Sequence, residues 1–448
     1  MSHANPSTPV RSSRRTFLRA TAATVAAGAV GRPSVARAAE TLAIAGGRKA
    51  VTFPEKAHSD ACRWPRFGDA EKKFVSEILD LSASTCYREL PLFEKEWREY
   101  HRIPYCKSHM NGTSALTSMF FAMDFPPGTE IMVPTYTFFG TILPMRFFGY
   151  VPIFIDINPK TATMDVEHMK KQLTSKTKAV IPMHSWGLPC DMDAICDFAK
   201  EHGLMVCEDA AHAHGAKFQG KPTGTIGEMS IFSFQATKPL PILEGGMGMY
   251  QKREHFERAS VFGHYEDPPK LPDDSPYKKY VGTGLGLKLR MHPLSAALGR
   301  VQLRELDKRN ALIAAQVRRL NDRITQLPGV SEPYCRKDVQ RVYYSSNLIF
   351  LDEAKAGFSR AALIKALKAE GVRASAGDYP CQHKYTVYSE AKWWHHPPNV
   401  PESLPGSEEV NRRAINLALF TAEAPELVEQ YAAAFEKVWA HRTELAKL

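Results

Sequence analysis

Met229-Ser-Ile-Phe-Ser-Phe-Gln-Ala-Thr-Lys-Pro-Leu-Pro-Ile-Leu-Glu-Gly-Gly-Met-Gly248 is the stretch from which the rest of the chain can be read. Met229 to Phe234 is a short apolar run with the character of a strand. It leads into a loop that presents Ser233 and Lys238 and is expected to turn on Gly245, Gly246 and Gly248. Lys238 stands between a buried strand and a Pro/Gly-rich turn with few charges nearby, and a lysine so placed can shed its proton and attack a carbonyl. Upstream, Leu204-Met-Val-Cys-Glu-Asp209 reads as a second strand, followed by Ala-Ala-His-Ala-His-Gly215. Asp209 therefore sits at a strand's carboxyl end, the edge at which open parallel sheets bind ligands.

An amine just past one strand and a carboxylate at the end of its neighbour are what pyridoxal phosphate needs: the first for its aldehyde, the second for its pyridinium nitrogen. The wording is more specific than the pair. Glu208-Asp-Ala-Ala-His-Ala-His-Gly-Ala216, Phe232-Ser-Phe-Gln-Ala-Thr-Lys238 and Glu244-Gly-Gly246 resemble the DegT/StrS-type sugar aminotransferases, a fold-type I pyridoxal-phosphate family. The resemblance runs from Leu42-Ala-Ile-Ala-Gly-Gly47 to Leu404-Pro-Gly-Ser-Glu-Glu409. It implies an α/β fold: a large domain with a mostly parallel sheet flanked by helices, and a smaller carboxyl-terminal α+β domain.

The chain's own rhythm agrees. Strands at Glu130 onward, Val151–Asp156, Ala179–His184 and Leu204–Asp209 alternate with helices over Val166–Leu173 and Met192–His202, the pattern of a parallel sheet with right-handed crossovers. Earlier helices are expected over Glu71–Leu81 and Phe93–Tyr100. Later come a long helix from Ser295 to about Leu327, a strand over Val342–Leu351, a helix over Ser359–Glu370 and a returning strand over Gly371–Ala376. The expected division is residues 1–38 as a signal, 39–294 as arm and large domain, and 295–448 as linking helix and small domain.

The 448 residues carry a net charge of +10, which invites a nucleic-acid reading. Residues 1–38 hold six arginines and no acid, leaving 52 basic against 48 acidic residues afterwards, so that reading loses its support. Those 38 residues explain themselves as an address: Ser13-Arg-Arg-Thr-Phe-Leu18, a weakly apolar run from Ala20 to Val30, and Ala36-Arg-Ala38 look like a twin-arginine export signal cleaved before Ala39. A periplasmic location follows, with a cofactor inserted before export. The alternative is a basic tail with a fortuitous Arg-Arg. The run is too short and too poor in large side chains to span a bilayer. Eight cysteines without CxxC or framework spacing disfavour metal clusters and a disulfide scaffold.

Met110-Asn-Gly-Thr-Ser-Ala opens a helix whose free N–H groups and dipole suit a phosphate; such openings are also ordinary caps. The resemblance gives Gly112, Thr113 and Ser114 the cofactor phosphate, with Asn111 where the family has serine. It further implies Phe138 against the pyridine face, His212 on the ring or its phenolic oxygen, Ser233 on the phosphate, and His383 in Tyr379-Pro-Cys-Gln-His383 at the substrate mouth. Lys288 in Gly282-Thr-Gly-Leu-Gly-Leu-Lys-Leu-Arg-Met291 takes the place of an asparagine that reaches the partner subunit's phosphate; a solvated lysine is the alternative. Trp393-Trp-His-His396 reads as a packed lid or structural cluster rather than a metal site, and His212 and His214 lack zinc partners at familiar spacing.

The function implied is amino transfer from glutamate or glutamine to a keto-sugar or keto-cyclitol by a homodimer. Lys238 would hold the cofactor and shuttle the proton, and Asp209 would keep the ring nitrogen protonated. Two alternatives stay open: dehydration of a sugar on the same cofactor, where relatives commonly have histidine in place of the lysine, and a non-catalytic cofactor-binding sensor.

Overall fold

The structure, a computed structural model, describes residues 40–447; the Arg14-Arg15 segment lies outside them. Seven strands form the main sheet: β1 (Tyr105–His109), β2 (Glu130–Pro134), β3 (Val151–Ile155), β4 (Thr177–Val180), β5 (Met205–Asp209), β6 (Met229–Ser233) and β7 (Gly246–Tyr250), in the order β1-β7-β6-β5-β4-β2-β3. Six run parallel, and β7 is antiparallel to both neighbours. Strand β3, Val-Pro-Ile-Phe-Ile, is buried at every position, as expected where helices cover both faces.

The covering helices owe their places to apolar stripes. Helix α1 (Asp69–Leu79) packs on the long helix Pro293–Ile324, and helix α2 (Glu89–His101) packs on the sheet's β1 side, with Phe93 and Trp97 fully buried. Helix α3 (Gly112–Met123) is apolar around most of its circumference and is sunk into the core; Asn111 caps it, its Oδ1 accepting the Ser114 N–H at 2.8 Å. Helices α4 (Val166–Lys171) and α5 (Met192–Glu201) make the crossovers toward β4 and β5, and α6 (Arg253–Val261) follows β7.

Helix α7 (Pro293–Ile324), 32 residues long, starts beside the main sheet and ends against a second, fully antiparallel sheet. That sheet is β8 (Val330–Ser331), β9 (Asn347–Leu351), β10 (Ala374–Ala376) and β11 (Ala414–Leu417) in the order β8-β9-β11-β10, backed by α8 (Arg360–Ala369) and α9 (Pro425–Ala440). The amino-terminal arm joins this second core: Leu42, Val51 and Ala61 are buried among its side chains. Glu370, without solvent exposure, accepts the N–H groups of Ala43 at 2.7 Å and Ala50 at 2.8 Å and pairs with Lys437 at 2.9 Å. Among the described residues no helix is long and apolar enough to cross a membrane.

Three local expectations change. Gly246 and Gly248 lie inside β7 rather than in a turn. The space explains them: a Cβ on Gly246 would come 2.3 Å from the Asn111 carbonyl oxygen, and one on Gly248 2.3 Å from the Tyr250 hydroxyl. Only glycine lets the start of α3 rest directly on the sheet. Residues 342–346 form a loop before β9, with Ser345 at φ 62°, and 371–373 form a connector before β10.

Candidate active site

The carboxyl ends of β1, β2, β5 and β6 lie at one edge of the main sheet, and the segments leaving them meet around a cavity of about 520 Å³. Gly112 and Thr113 come from the start of α3, Phe138 and Thr141 from the loop after β2, Asp209 and His212 from the end of β5, and Ser233 and Lys238 from the end of β6 and its loop. Tyr344 and Tyr379 close it from the carboxyl-terminal part of the chain. Segments far apart in sequence are thus brought to one place by the parallel crossovers.

Side chains alternate along β5, so Glu208 and Asp209 point to opposite faces. Glu208 is fully buried and accepts the N–H groups of Gly224 at 2.7 Å, Ile226 at 2.8 Å and Gly227 at 2.7 Å, with His184 Nε2 at 3.0 Å. It ties the loop before β6 to β5 and so fixes the strand end that carries Asp209.

The Asp209 carboxylate faces the cavity and is 3% exposed. Its Oδ2 accepts the Thr141 hydroxyl at 2.8 Å and its Oδ1 the Ala211 N–H at 3.1 Å. Thr137 lies 2.7 Å from Thr141 and, since Thr141 has given its proton to Asp209, donates to it. Burial raises the Asp209 pKa; the hydrogen bonds and the nearby Lys238 temper the rise. A cation supplied from the cavity would remove that cost.

Lys238 is half-buried; its Nζ donates to the Tyr344 hydroxyl at 3.3 Å and lies 4.3 Å from that ring's centre. Its carbonyl accepts Trp64 Nε1 at 3.2 Å, which pins the loop to the arm. His212 stacks on Tyr344, with centroids 3.8 Å apart and planes at 20°. Burial, with Lys238 nearby, holds the His212 pKa well below the usual histidine value, so the ring is neutral.

The remaining anion-binding elements are backbone. Asn111 uses its side chain on Ser114 and its carbonyl on Ala115, leaving the Gly112 and Thr113 N–H groups without partners among the described residues at the cavity wall. Gly112 is needed there, because a Cβ would meet the Ser233 Cβ at 2.7 Å. Two N–H groups at the end of a 12-residue helix, with the Ser233 side chain beside them, form a cradle for an anion.

Three residues named from the sequence lie elsewhere. Ser114 is buried beneath the cap and does not line the cavity. His383 is also buried, its Nδ1 2.6 Å from Thr135 Oγ1 and its ring against Phe154; from the same segment it is Tyr379 that reaches the cavity. Lys288 is exposed, with Nζ 6.0 Å from the Tyr265 ring, and does not line its own chain's cavity. His214 packs among Trp97, Phe232 and Phe234. In the Trp393-Trp-His-His396 segment, Trp394 stacks on Tyr388, and His396 Nε2 stands 3.6 Å from Glu130.

Sequence reasoning missed Thr141, Tyr344, Tyr379, Gln235 and Glu244 on the cavity wall. Gln235 and Glu244 lie within the opening stretch itself. Tyr344 had no signal, since it falls in a segment whose β-branched and aromatic content reads as strand.

Comparison with known proteins agrees with the fold. The model of the DegT/DnrJ/EryC1/StrS aminotransferase family matches residues 65–436. The chain is 30% identical over 368 residues to the GDP-perosamine synthase of Escherichia coli O157:H7, covering 81% of this chain and 94% of that one. It is 29% identical over 348 residues to the putative L-glutamine:3-amino-2,3-dideoxy-scyllo-inosose aminotransferase of Streptomyces kanamyceticus, covering 76% and 78% of the two chains. Among solved structures, the aminotransferase from Psychrobacter cryohalolentis superposes with a TM-score of 0.76 at 26% identity, covering 85% of this chain and 99% of that one.

Proposed function

The chain belongs to the DegT/DnrJ/EryC1/StrS aminotransferase family, and from that premise we propose that it uses pyridoxal phosphate to move an amino group from glutamate or glutamine to a keto-sugar or keto-cyclitol. One relative's name specifies a GDP-linked sugar product and another a cyclitol derivative with glutamine as donor; both are polyhydroxylated rings, and a ring of that class is the substrate. The observation that carries the reading is the convergence of Lys238, Asp209 and the free start of α3 on a single cavity.

The residues fit the cofactor. Asp209 is a buried carboxylate whose raised pKa marks an unmet demand for positive charge, which a protonated ring nitrogen satisfies. The Gly112 and Thr113 N–H groups and Ser233 suit the phosphate, and Lys238 offers the amine that the aldehyde requires. When bound, the cofactor supplies a ring that accepts the electrons left behind on a deprotonated carbon.

The protein's part is positioning and proton transfer. Thr141 and Ala211 hold the Asp209 carboxylate in one orientation. His212, neutral and stacked on Tyr344, presents a flat face without competing for the proton. Phe138, half exposed at the mouth, covers the cavity from the β2 side. Lys238 takes the proton from the donor's carbon and returns it one position along.

Lys288 fits a place over a partner's phosphate, which makes a homodimer the active unit. Residues 1–38 fit a twin-arginine signal that delivers the folded protein to the periplasm.

The test is covalent. Purified protein mixed with pyridoxal phosphate should gain a visible absorbance band that borohydride bleaches, and peptide mapping should place the reduced adduct on Lys238. An adduct on Lys217, Lys221 or Lys288, or no uptake of the cofactor, refutes the reading.

A further inference from the structure

Four polar groups beside the cavity are joined in a chain that has one direction. The Thr237 hydroxyl donates to Gln235 Oε1 at 2.7 Å, and the same oxygen accepts the Thr237 N–H at 2.8 Å. A hydroxyl has a single proton, so toward Tyr344, whose oxygen is 3.2 Å away, Thr237 can only accept. Tyr344 therefore gives its proton to Thr237 and turns its lone pairs to Lys238 Nζ at 3.3 Å. The Tyr344 ring is itself held by stacking on His212.

We propose that Tyr344 is a catalytic residue of this site, the fixed acceptor for the Lys238 amine whenever that amine is not bonded to the cofactor. The inference rests on Lys238 being the amine that captures the cofactor and moves the proton. When Lys238 takes a proton from the donor's carbon, its lone pair forms the new N–H bond and the C–H electron pair stays with the carbon, stabilised by the bound cofactor. Tyr344 keeps its own proton throughout. Its oxygen accepts an N–H of the resulting ammonium and holds it at the cavity wall until Lys238 returns a proton to the second carbon. Because the hydroxyl oxygen cannot turn its own proton toward Lys238 without breaking the bond to Thr237, it offers Lys238 an acceptor and no donor.

An acceptor without a donor gives the proposal a signature of two opposite signs. Covalent capture of pyridoxal phosphate needs the free amine, whereas the proton shift needs the amine to gain a proton and keep it. Tyr344→Phe keeps the ring 4.3 Å from Nζ and its stack on His212 and removes the hydroxyl, with it the acceptor for Lys238 and the donor to Thr237. Cofactor-free Tyr344→Phe should therefore capture pyridoxal phosphate several-fold faster than the unaltered protein, followed as the rate at which the visible band appears. Loss of deuterium from the Cα of labelled glutamate, in the presence of cofactor, should slow by about ten- to one hundred-fold, the range of a hydrogen bond to a charged group. Thr237→Val leaves the Tyr344 hydroxyl but frees its proton, and should shift both rates in the same senses by a smaller factor; Thr237→Ser should restore them. Equal rates in Tyr344→Phe and the unaltered protein overturn the proposal, and so does a proportional slowing of both steps, which is what simple loss of packing gives. If the unaltered protein never captures the cofactor, the enzyme reading fails first and this one with it; normal capture with an indifferent Tyr344 removes this one alone.

Discussion

Replacing Thr141 by valine deletes the hydroxyl that donates to Asp209 Oδ2 at 2.8 Å and leaves a side chain of the same shape. The consequence depends on pH, because the carboxyl is buried and its pKa is raised in the folded protein. A carboxyl with a folded value above the unfolded one, about 3.9, binds its proton more tightly in the native state. Its effect on stability is therefore most favourable in acid and is lost as pH rises through the folded value. Below that value the Thr141 hydroxyl meets a neutral acid, a bond worth about 1 kcal/mol; above it the same hydroxyl meets a carboxylate, worth about 1.5–3 kcal/mol. The valine variant should accordingly lie about 1 kcal/mol below the unaltered protein on the acid side of the folded value and about 1.5–3 kcal/mol below it on the alkaline side. Urea unfolding of both cofactor-free proteins across a pH series measures the gap. Adding pyridoxal phosphate should narrow the gap on the alkaline side, since a protonated ring nitrogen then meets the carboxylate. A gap that is the same across the series, or larger in acid, refutes a buried Asp209 carboxylate stabilised by Thr141.

Gly246→Ala places a Cβ 2.3 Å from the Asn111 carbonyl oxygen and should push the start of α3 off the sheet; cofactor retention in equilibrium dialysis should fall at least ten-fold, and unchanged retention contradicts the cradle. Lys288→Ala should weaken cofactor retention more than Lys288→Arg does, and a fully active monomer in sedimentation removes the partner role. Replacing Arg14 and Arg15 together with lysine should strand the protein in the cytoplasm; finding the unaltered protein there with residues 1–38 intact ends the export proposal.

The strand-loop-lysine reading of Met229 to Lys238 needed only local physics. An apolar run bounded by Pro and Gly can do little else, and a lysine placed there has few roles. The same holds for β5, where an apolar run ending in Asp209 puts that carboxylate at a strand's carboxyl end, and for the Gly-Thr opening of α3. These positions were legible because each lies at an element's end, where residue type and backbone geometry are tightly coupled.

Side-chain partnerships across the fold were not legible. Tyr344 reaches Lys238 across 106 positions of sequence, and Thr141 reaches Asp209 across 68; neither separation leaves a periodic trace. Gly246 and Gly248 looked like turn residues because glycine permits turns, but the close approach of Asn111 and Tyr250 is what requires them. His383 looked like a mouth residue by its segment, yet the backbone turns it onto Thr135 and leaves Tyr379 at the cavity. The sequence thus determined which chemistry the chain carries, because that depends on residue types at strand and helix ends. The tertiary structure decided which hydroxyls, rings and N–H groups surround that chemistry, because those contacts arise only when distant crossovers close on one sheet edge.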